Sequence, residues 1–407
     1  MPDHVRAAQR RTGFRHLYLY DLEGKLIRPL TAGDWMVEGD GTENGLVGVD
    51  EAKGRIYFMA NETSPLERQL YSTSLETREP NRVQRISKEP GWHDAKLLPG
   101  AKRYFDSWTS SEQPPSASLR SLDGSVQTWL IRNSLDASHP YSPFKESQAE
   151  ETLGSLQSSD GQTLYYRLLK PANLQLGKKY PVIVDVYGGP HQQYVRADWL
   201  GGSRSAQGFF RQVLTQHGFI VFMLDNRGSG FRGNAFDQAI AGRLGKVEIE
   251  DQLRGVEFLK QQAYVDPERI GIMGWSYGGY MTLMGLSTTS AFRAGVAGAP
   301  VTDWRLYDTH YTERYLGQPG PESTYDVSGV LSHLDTVHGK LLLVHGMADD
   351  NVLFTNSTML MQQLQARNVP FDLMTYPGSK HGLVRASTTG RHFYEMALRF
   401  FERELKE

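Results

Sequence analysis

The chain has 407 residues, more than one hydrophobic core usually organises, so two or more domains are expected. Its 44 basic and 46 acidic residues leave a net charge of −2, which argues against a nucleic-acid-coating surface or a polybasic membrane anchor. There is no cysteine, which removes disulfides, thiolate catalysis and cysteine-ligated zinc or iron–sulfur centres and leaves the compartment undecided.

At the N-terminus, "MPDHVRAAQRRTGFRH" carries positive charge with no apolar stretch behind it, unlike a secretory leader. The longest apolar run, in "GFIVFMLD" (218–225), is far short of the roughly 18 residues of a membrane span. The chain as written is therefore expected to stay where it is made, cytoplasmic by default, and periplasmic or secreted if a longer parent supplies a signal. Residues 1–150 read as short strands broken by turn residues. Three stretches resemble one another: "HLYLYDLEG" (16–24), "QLYSTSLET" (69–77) and "SASLRSLDG" (116–124). Tyr57 and Tyr104 are 47 residues apart, and so are Leu75 and Leu122. A period of about 40–50 residues with several strands per unit suggests propeller blades; any antiparallel sheet protein with similar hairpins is the plainer alternative. Two to three blades fit, fewer than the about four that close a ring, so an incomplete β-propeller is expected over 1–150.

From residue 151 the pattern changes. A hairpin-like pair, "LGSLQSSDGQTLYYRLLKP", leads into apolar runs: "YPVIVDVY" (180–187), "GFIVFMLD" (218–225), "RIGIMGW" (269–275), "AGVAGAP" (294–300), "KLLLVHG" (340–346) and "FDLMTYP" (371–377). Between and after them, "EDQLRGVEFLKQQ", "TNSTMLMQQLQARN" and "HFYEMALRFFERELKE" carry apolar residues at helical spacing. Buried strands alternating with helices indicate an α/β domain over 151–407, a mostly parallel sheet covered on both faces.

Within it, "GWSYG" places Ser276 between Gly274 and Gly278, after a strand-like run and before a helix-like one. This is the G-x-S-x-G nucleophile elbow of an α/β-hydrolase, where a sharp turn leaves no room for a Cβ on either flank. A serine hydroxyl is a poor nucleophile without a base, and the base needs an orienting acid. In that fold the acid and the histidine follow the serine, each after a later strand. Asp349 and Asp350 stand in the loop after 340–346, and His381 in the loop after 371–377. Spacing does not separate Asp349 from Asp350. His345, at a strand end, reads as a packing or hydrogen-bonding residue, and Ser276 taken alone could be a structural loop serine. For the developing oxyanion, the backbone N–H of Tyr277 is the standard donor. "DVYGGP" (185–190) occupies the position of the second, where Tyr187 reads equally as a strand-end aromatic.

Two further patterns carry alternatives. "GSGFRG" (228–233), with Glu248 and Glu250 about twenty residues on, is a formal dinucleotide fingerprint, but Asp225, Asn226 and Arg227 separate it from its strand and no clean helix follows. In "TDWRLYDTHYTERY" (302–315), Trp304, Tyr307 and Tyr311 fall on one face of a predicted helix. Such a stripe is usually core, and here it could also wall a pocket for a small apolar ring such as proline.

Together "GWSYGGY", "DVYGGP", "HGMADDNV", "WRLYDTHYTERY" and the late "KHG" resemble the prolyl oligopeptidase family of serine peptidases, most closely its dipeptidyl peptidase IV branch. The resemblance covers the hydrolase half and the blades before it. It implies Ser276 as nucleophile, His381 as base and Asp349 as orienting acid, with the Tyr187 hydroxyl and Tyr277 N–H as oxyanion hole. It implies a pocket for a penultimate proline formed by Tyr277, Val301, Trp304, Tyr307, Tyr311 and Val352, with Asn351 binding the carbonyl of the first residue. The implied reaction is release of N-terminal X-Pro or X-Ala dipeptides through an acyl-enzyme. The implied partners are peptides, with no nucleic acid, metal or cofactor, and a homodimer is left open. The departure is the family's free-amine clamp, a glutamate pair and an arginine in earlier blades, which this sequence lacks. Its adjacent pair Glu150–Glu151 reads as solvated linker charge. A less selective esterase or endopeptidase, or an inactive fragment with open sheet edges, is the alternative.

Overall fold

The computed structural model describes residues 4–38, 45–202, 206–320 and 324–406. Two compact units divide the chain: one takes 1–143 with 196–203 and 230–237, the other 144–195, 204–229 and 238–407. Two short segments from beyond residue 151 thus belong to the first unit.

The first unit is built from antiparallel meanders. Strands β1 (His4–Gln9), β2 (His16–Asp21) and β3 (Leu26–Pro29) form a three-stranded sheet. A four-stranded sheet follows: β4 (Leu46–Asp50), β5 (Arg55–Ala60), β6 (Gln69–Ser74) and β7 (Gln84–Arg85). A second comprises β8 (Trp92–Leu97), β9 (Arg103–Thr109), β10 (Ser116–Ser121) and β11 (Val126–Ile131). The repeat in the sequence is a repeat in the fold. Tyr57 and Tyr104 sit on the second strands of the two four-stranded sheets, and Leu75 and Leu122 lie just past the third strands.

Successive sheets share apolar cores, the way blades stack. Leu17, Leu19 and Leu30 of the first sheet join Ile56, Phe58 and Tyr71 of the second. Tyr57, Met59 and Leu70 of the second join Ala95 and Tyr104 of the third. The contact is close enough that a Cβ on Gly48 of β4 would sit 2.7 Å from a Leu97 methyl of β8.

The second unit holds an eight-stranded sheet in the order β12-β13-β15-β14-β16-β17-β18-β19. The hairpin β12 (Glu150–Gln157) and β13 (Thr163–Lys170) is antiparallel, and β13 joins β15 antiparallel. From β15 (Ile220–Leu224) across β14 (Tyr180–Asp185), β16 (Val265–Trp275), β17 (Ala294–Gly298), β18 (Lys340–Gly346) and β19 (Asp372–Tyr376) every pairing is parallel. Glu150 and Glu151 are therefore sheet residues rather than linker charge. Glu150 pairs with Lys170 at 2.7 Å and Glu151 lies 3.6 Å from Arg167.

The helices are α1 (Ala206–Gln216), the one-turn α2 (Asn234–Asp237) that goes with the first unit, α3 (Lys246–Lys260) and α4 (Tyr277–Thr288). They continue with α5 (Thr309–Leu316), the one-turn α6 (Tyr325–Ser328), α7 (Thr355–Ala366) and α8 (Ser387–Lys406). Adjacent residues of a strand face opposite sides, and β16 shows both sides covered. A Cβ on Gly271 would meet Phe401 of α8, whereas Ile272 lies against Gly285 of α4. Burial on both faces is why the central strands are apolar runs without alternation. No helix among the described residues is long and apolar enough to cross a membrane.

The stretch 302–315 is not the single helix its aromatic spacing predicts. A short 3₁₀ turn at Trp304–Leu306 is capped by Asp303, which accepts the Arg305 N–H at 3.0 Å, and α5 is capped separately by Asp308, which accepts the Tyr311 N–H at 2.8 Å. A residue that caps a second helix leaves helical geometry, and Asp308 is extended (φ −64°, ψ 146°), so the helix breaks there.

Candidate active site

Ser276 stands at the junction of β16 and α4 with φ +61° and ψ −116°, a conformation that costs a non-glycine residue strain. Its N–H donates to the Gly298 carbonyl at 2.8 Å, which ties the turn to the end of β17. Backbone crowds both flanks. A Cβ on Gly274 would collide with Gly278 and the Val186 carbonyl, and one on Gly278 with that same carbonyl.

The loops after β18 and β19 meet beside this turn. Met347 N–H donates to the Tyr376 carbonyl at 3.0 Å and Ala348 N–H to Ser379 at 3.1 Å. Buried Asp349 receives the His381 Nδ1–H on Oδ2 at 2.7 Å, and its Oδ1 accepts the N–H groups of Asn351 and Val352, both at 2.9 Å. Burial opposes its ionisation, but hydrogen bonds from His345, His381 and the Asn351 N–H outweigh it and hold the carboxyl well below the usual carboxylate range. Asp350 points away, exposed and paired with Lys380 at 2.6 Å.

His345 is buried. Its Nε2 lies 2.9 Å from the Val352 carbonyl and 3.2 Å from Asp349 Oδ2, and Nδ1 is 2.7 Å from the Ser357 hydroxyl. Two acceptors at Nε2 fix the proton there, so Nδ1 accepts from Ser357. It packs and hydrogen-bonds as its strand-end position suggests, and one of its partners is Asp349.

His381 reaches the elbow through Trp275, whose indole N–H donates to the His381 carbonyl at 3.1 Å while the two rings lie 6.2 Å apart. The structure thus hydrogen-bonds Asp349 to His381 and seats the His381 loop on the neighbour of Ser276. The Ser276 hydroxyl itself makes no hydrogen bond among the described residues. Catalytic hydrogen bonds are commonly long before substrate binds.

On the other side, the loop after β14 carries Tyr187, with its ring 6.0 Å from that of Tyr277. Asn226 Nδ2 holds the Gly188 carbonyl at 2.9 Å, and Asp225 accepts the N–H groups of Tyr194 and Val195, each at 2.9 Å. These bonds are what the "DNR" run does in the fold, and only a four-residue helix follows it, so the glycine pattern at 228–233 has no phosphate-binding helix. The Tyr187 hydroxyl has no hydrogen-bond partner among the described residues. Burial pushes its phenol well up, so it remains a donor at neutral pH.

The aromatic residues come together despite the broken helix. Trp304 lies 5.5 Å from Tyr277 and stacks on Tyr311 at 6.1 Å, and Tyr307 meets Tyr311 edge-on at 5.3 Å. Their polar tips are anchored: the Ser328 carbonyl accepts Trp304 Nε1 at 3.1 Å and the Tyr280 hydroxyl at 2.8 Å. Val301 and Val352 are buried, and the Thr302 N–H donates to Asn356 Oδ1 in the first turn of α7 at 2.9 Å, which ties the two loops together. Exposed Asn351 takes the Tyr307 hydroxyl on Oδ1 at 3.1 Å, which leaves its amide N–H groups to donate.

Sequence reasoning passed over Tyr280 and Tyr315, and it met Glu248 only as the acidic residue of a formal dinucleotide fingerprint. Tyr315 bonds His191 of the loop after β14 at 2.7 Å. Glu248 accepts the Tyr277 hydroxyl at 2.6 Å, and burial pushes its carboxyl up to about 7. Its one legible signal is a charged residue in line with the inward positions of α3.

The chain has known relatives. Residues 206–407 match the prolyl oligopeptidase family, and residues 3–115 match the dipeptidyl peptidase IV N-terminal region. The chain belongs to the prolyl oligopeptidase family. It is similar to dipeptidyl peptidase 8 of Mus musculus, at 34% identity over 98% of this chain and 47% of that one. The Homo sapiens protein of that name matches at 33% identity over the same shares, 98% and 47%. The crystal structure of Porphyromonas gingivalis dipeptidyl peptidase 4 superposes with a TM-score of 0.89 at 31% identity, covering 99% of this chain and 55% of that one. The chain spans about half the length of the curated relatives it matches.

Proposed function

We propose that this prolyl oligopeptidase family chain carries the catalytic machinery of a dipeptidyl-peptidase-type serine hydrolase. Ser276 Oγ attacks the carbonyl carbon of the substrate's second residue as His381 takes its proton, and Asp349 orients the imidazole and stabilises its charged form. The Tyr187 hydroxyl and the Tyr277 N–H meet the oxyanion. Collapse breaks the peptide C–N bond, His381 returns the proton to the leaving amine, and water then releases the dipeptide from Ser276.

Tyr277, Val301, Trp304, Tyr307, Tyr311 and Val352 enclose the residue before the scissile bond. Flat aromatic walls favour a proline ring, with alanine as the smaller alternative. Asn351 donates to the carbonyl of the first residue.

The observation that carries the reading is the 2.7 Å Asp349–His381 bond in a loop pair held against Trp275, next to the strained Ser276. The test is release of the dipeptide from a Gly-Pro anilide, with and without an N-terminal blocking group. The reading expects turnover of the free-amine substrate that disappears in Ser276→Ala. Turnover that survives in Ser276→Ala refutes it.

A further inference from the structure

A carboxyl inside the apolar stripe of a helix needs a reason. On α3 the buried positions Glu248, Gln252, Gly255, Val256 and Leu259 recur at helical spacing. Glu248 Oε1 accepts the Tyr277 hydroxyl at 2.6 Å, while Oε2 is buried with no hydrogen-bond partner among the described residues. Asp251, one turn along, is taken up by Arg227 at 2.7 Å. A buried carboxyl costs stability that an apolar side chain would not; the backbone N–H groups of Gly245 and Glu248 offset part of that cost, and the bond to Tyr277 is the side-chain gain.

Tyr277 follows Ser276 directly, so its backbone N–H and its ring move as one residue. Rings of Tyr280 and Trp304 lie 5.2 and 5.5 Å away, and a Cβ on Gly189 would come within 2.6 Å of its Cγ. These neighbours crowd the ring. Glu248 holds its tip.

We propose that Glu248 is a positioning residue for Tyr277, tethering the hydroxyl so that the ring keeps the pocket at the width of a proline. The proposal rests on the reading of Ser276 as nucleophile. A slack ring loses contact with a pyrrolidine, whereas alanine touches the wall less, so the tether acts on selectivity and not only on stability.

The test compares kcat/KM for Gly-Pro and Gly-Ala anilides in the full chain. Glu248→Met keeps an apolar fit without the acceptor, and it is expected to lower the Pro/Ala ratio about tenfold. Glu248→Gln keeps a carbonyl acceptor and is expected to hold the ratio within about threefold of wild type. Tyr277→Phe should show the same drop as Glu248→Met, and the double variant no further drop, because both remove one bond. An unchanged ratio in folded Glu248→Met, or additive losses in the double variant, overturns the proposal. If Glu248→Met does not fold, a wild-type ratio in Tyr277→Phe overturns it. Fluorophosphonate labelling of each variant reports separately on Ser276, and an unlabelled wild-type chain overturns both readings.

Discussion

Gly189→Ala adds one methyl where the loop after β14 crosses the face of Tyr277. The new Cβ would lie 2.6 Å from Tyr277 Cγ and 2.8 Å from Tyr187 Cε1. That is about 0.8 Å inside the distance at which packed carbons rest, and a close-packed interior does not absorb it. Tyr277 has little room to move, since the rings of Tyr280 and Trp304 pack against it at 5.2 and 5.5 Å and its hydroxyl is tied to Glu248. The loop must therefore yield, and it carries Tyr187. A displacement approaching 1 Å at a reacting centre costs roughly 100-fold in rate, comparable to loss of one oxyanion donor. We expect kcat/KM on Gly-Pro anilide to fall roughly 100-fold, with a modest fall in melting temperature from overpacking. Gly320→Ala, whose Cβ meets nothing within 4 Å among the described residues, is the control and should be silent. Activity of Gly189→Ala within about threefold of wild type would refute the placement of Tyr187 and Tyr277 at the oxyanion.

Other substitutions probe the remaining contacts. Asp349→Asn should cost on the order of 10⁴-fold in kcat with the melting curve largely retained, whereas Asp350→Asn, which loses an exposed pair with Lys380, should change kcat little. Tyr187→Phe removes a donor without changing shape and should lower kcat by about 10²- to 10³-fold with KM nearly unmoved. Glu38, in the first unit, is buried with neither carboxyl oxygen hydrogen-bonded among the described residues, and burial pushes its pKa up to about 8 against the pull of Arg68, Arg15 and Arg196. The unfolded chain releases this proton near pH 4.5 and the folded one near 8, so the folded state loses stability as pH rises between them, by roughly 4 kcal/mol. Urea midpoints measured from pH 5 to 8 should show that decline in wild type and a flatter line in Glu38→Gln; parallel lines would contradict the assignment.

The central strands of the second unit were legible because burial on both faces makes them apolar runs. The elbow was legible because glycine flanks it for a steric reason that the coordinates repeat at Gly274 and Gly278. Spacing left the choice between Asp349 and Asp350 open, and only the family resemblance pointed to Asp349, since neighbouring residues in a turn diverge by geometry that composition does not encode. Asp349 caps two backbone N–H groups and faces His381, and Asp350 meets Lys380 instead. The break at Asp308 escaped notice because aromatic spacing is blind to a second cap within the same run. The bond from Tyr277 to Glu248 was hidden for a related reason. The two residues lie 29 positions apart, and helical periodicity tells which residues face inward but not what they meet. The assignment of 196–203 and 230–237 to the first unit likewise depends on contacts distant in sequence, such as the Ala197 N–H to the Leu66 carbonyl at 2.8 Å.

The most direct measurement is the mass-spectrometric location of a fluorophosphonate adduct on the folded chain. A single adduct on Ser276, absent in Ser276→Ala and formed far more slowly in Asp349→Asn, is the predicted result. A folded chain that takes no label at Ser276, or takes one elsewhere that persists in Ser276→Ala, would contradict it.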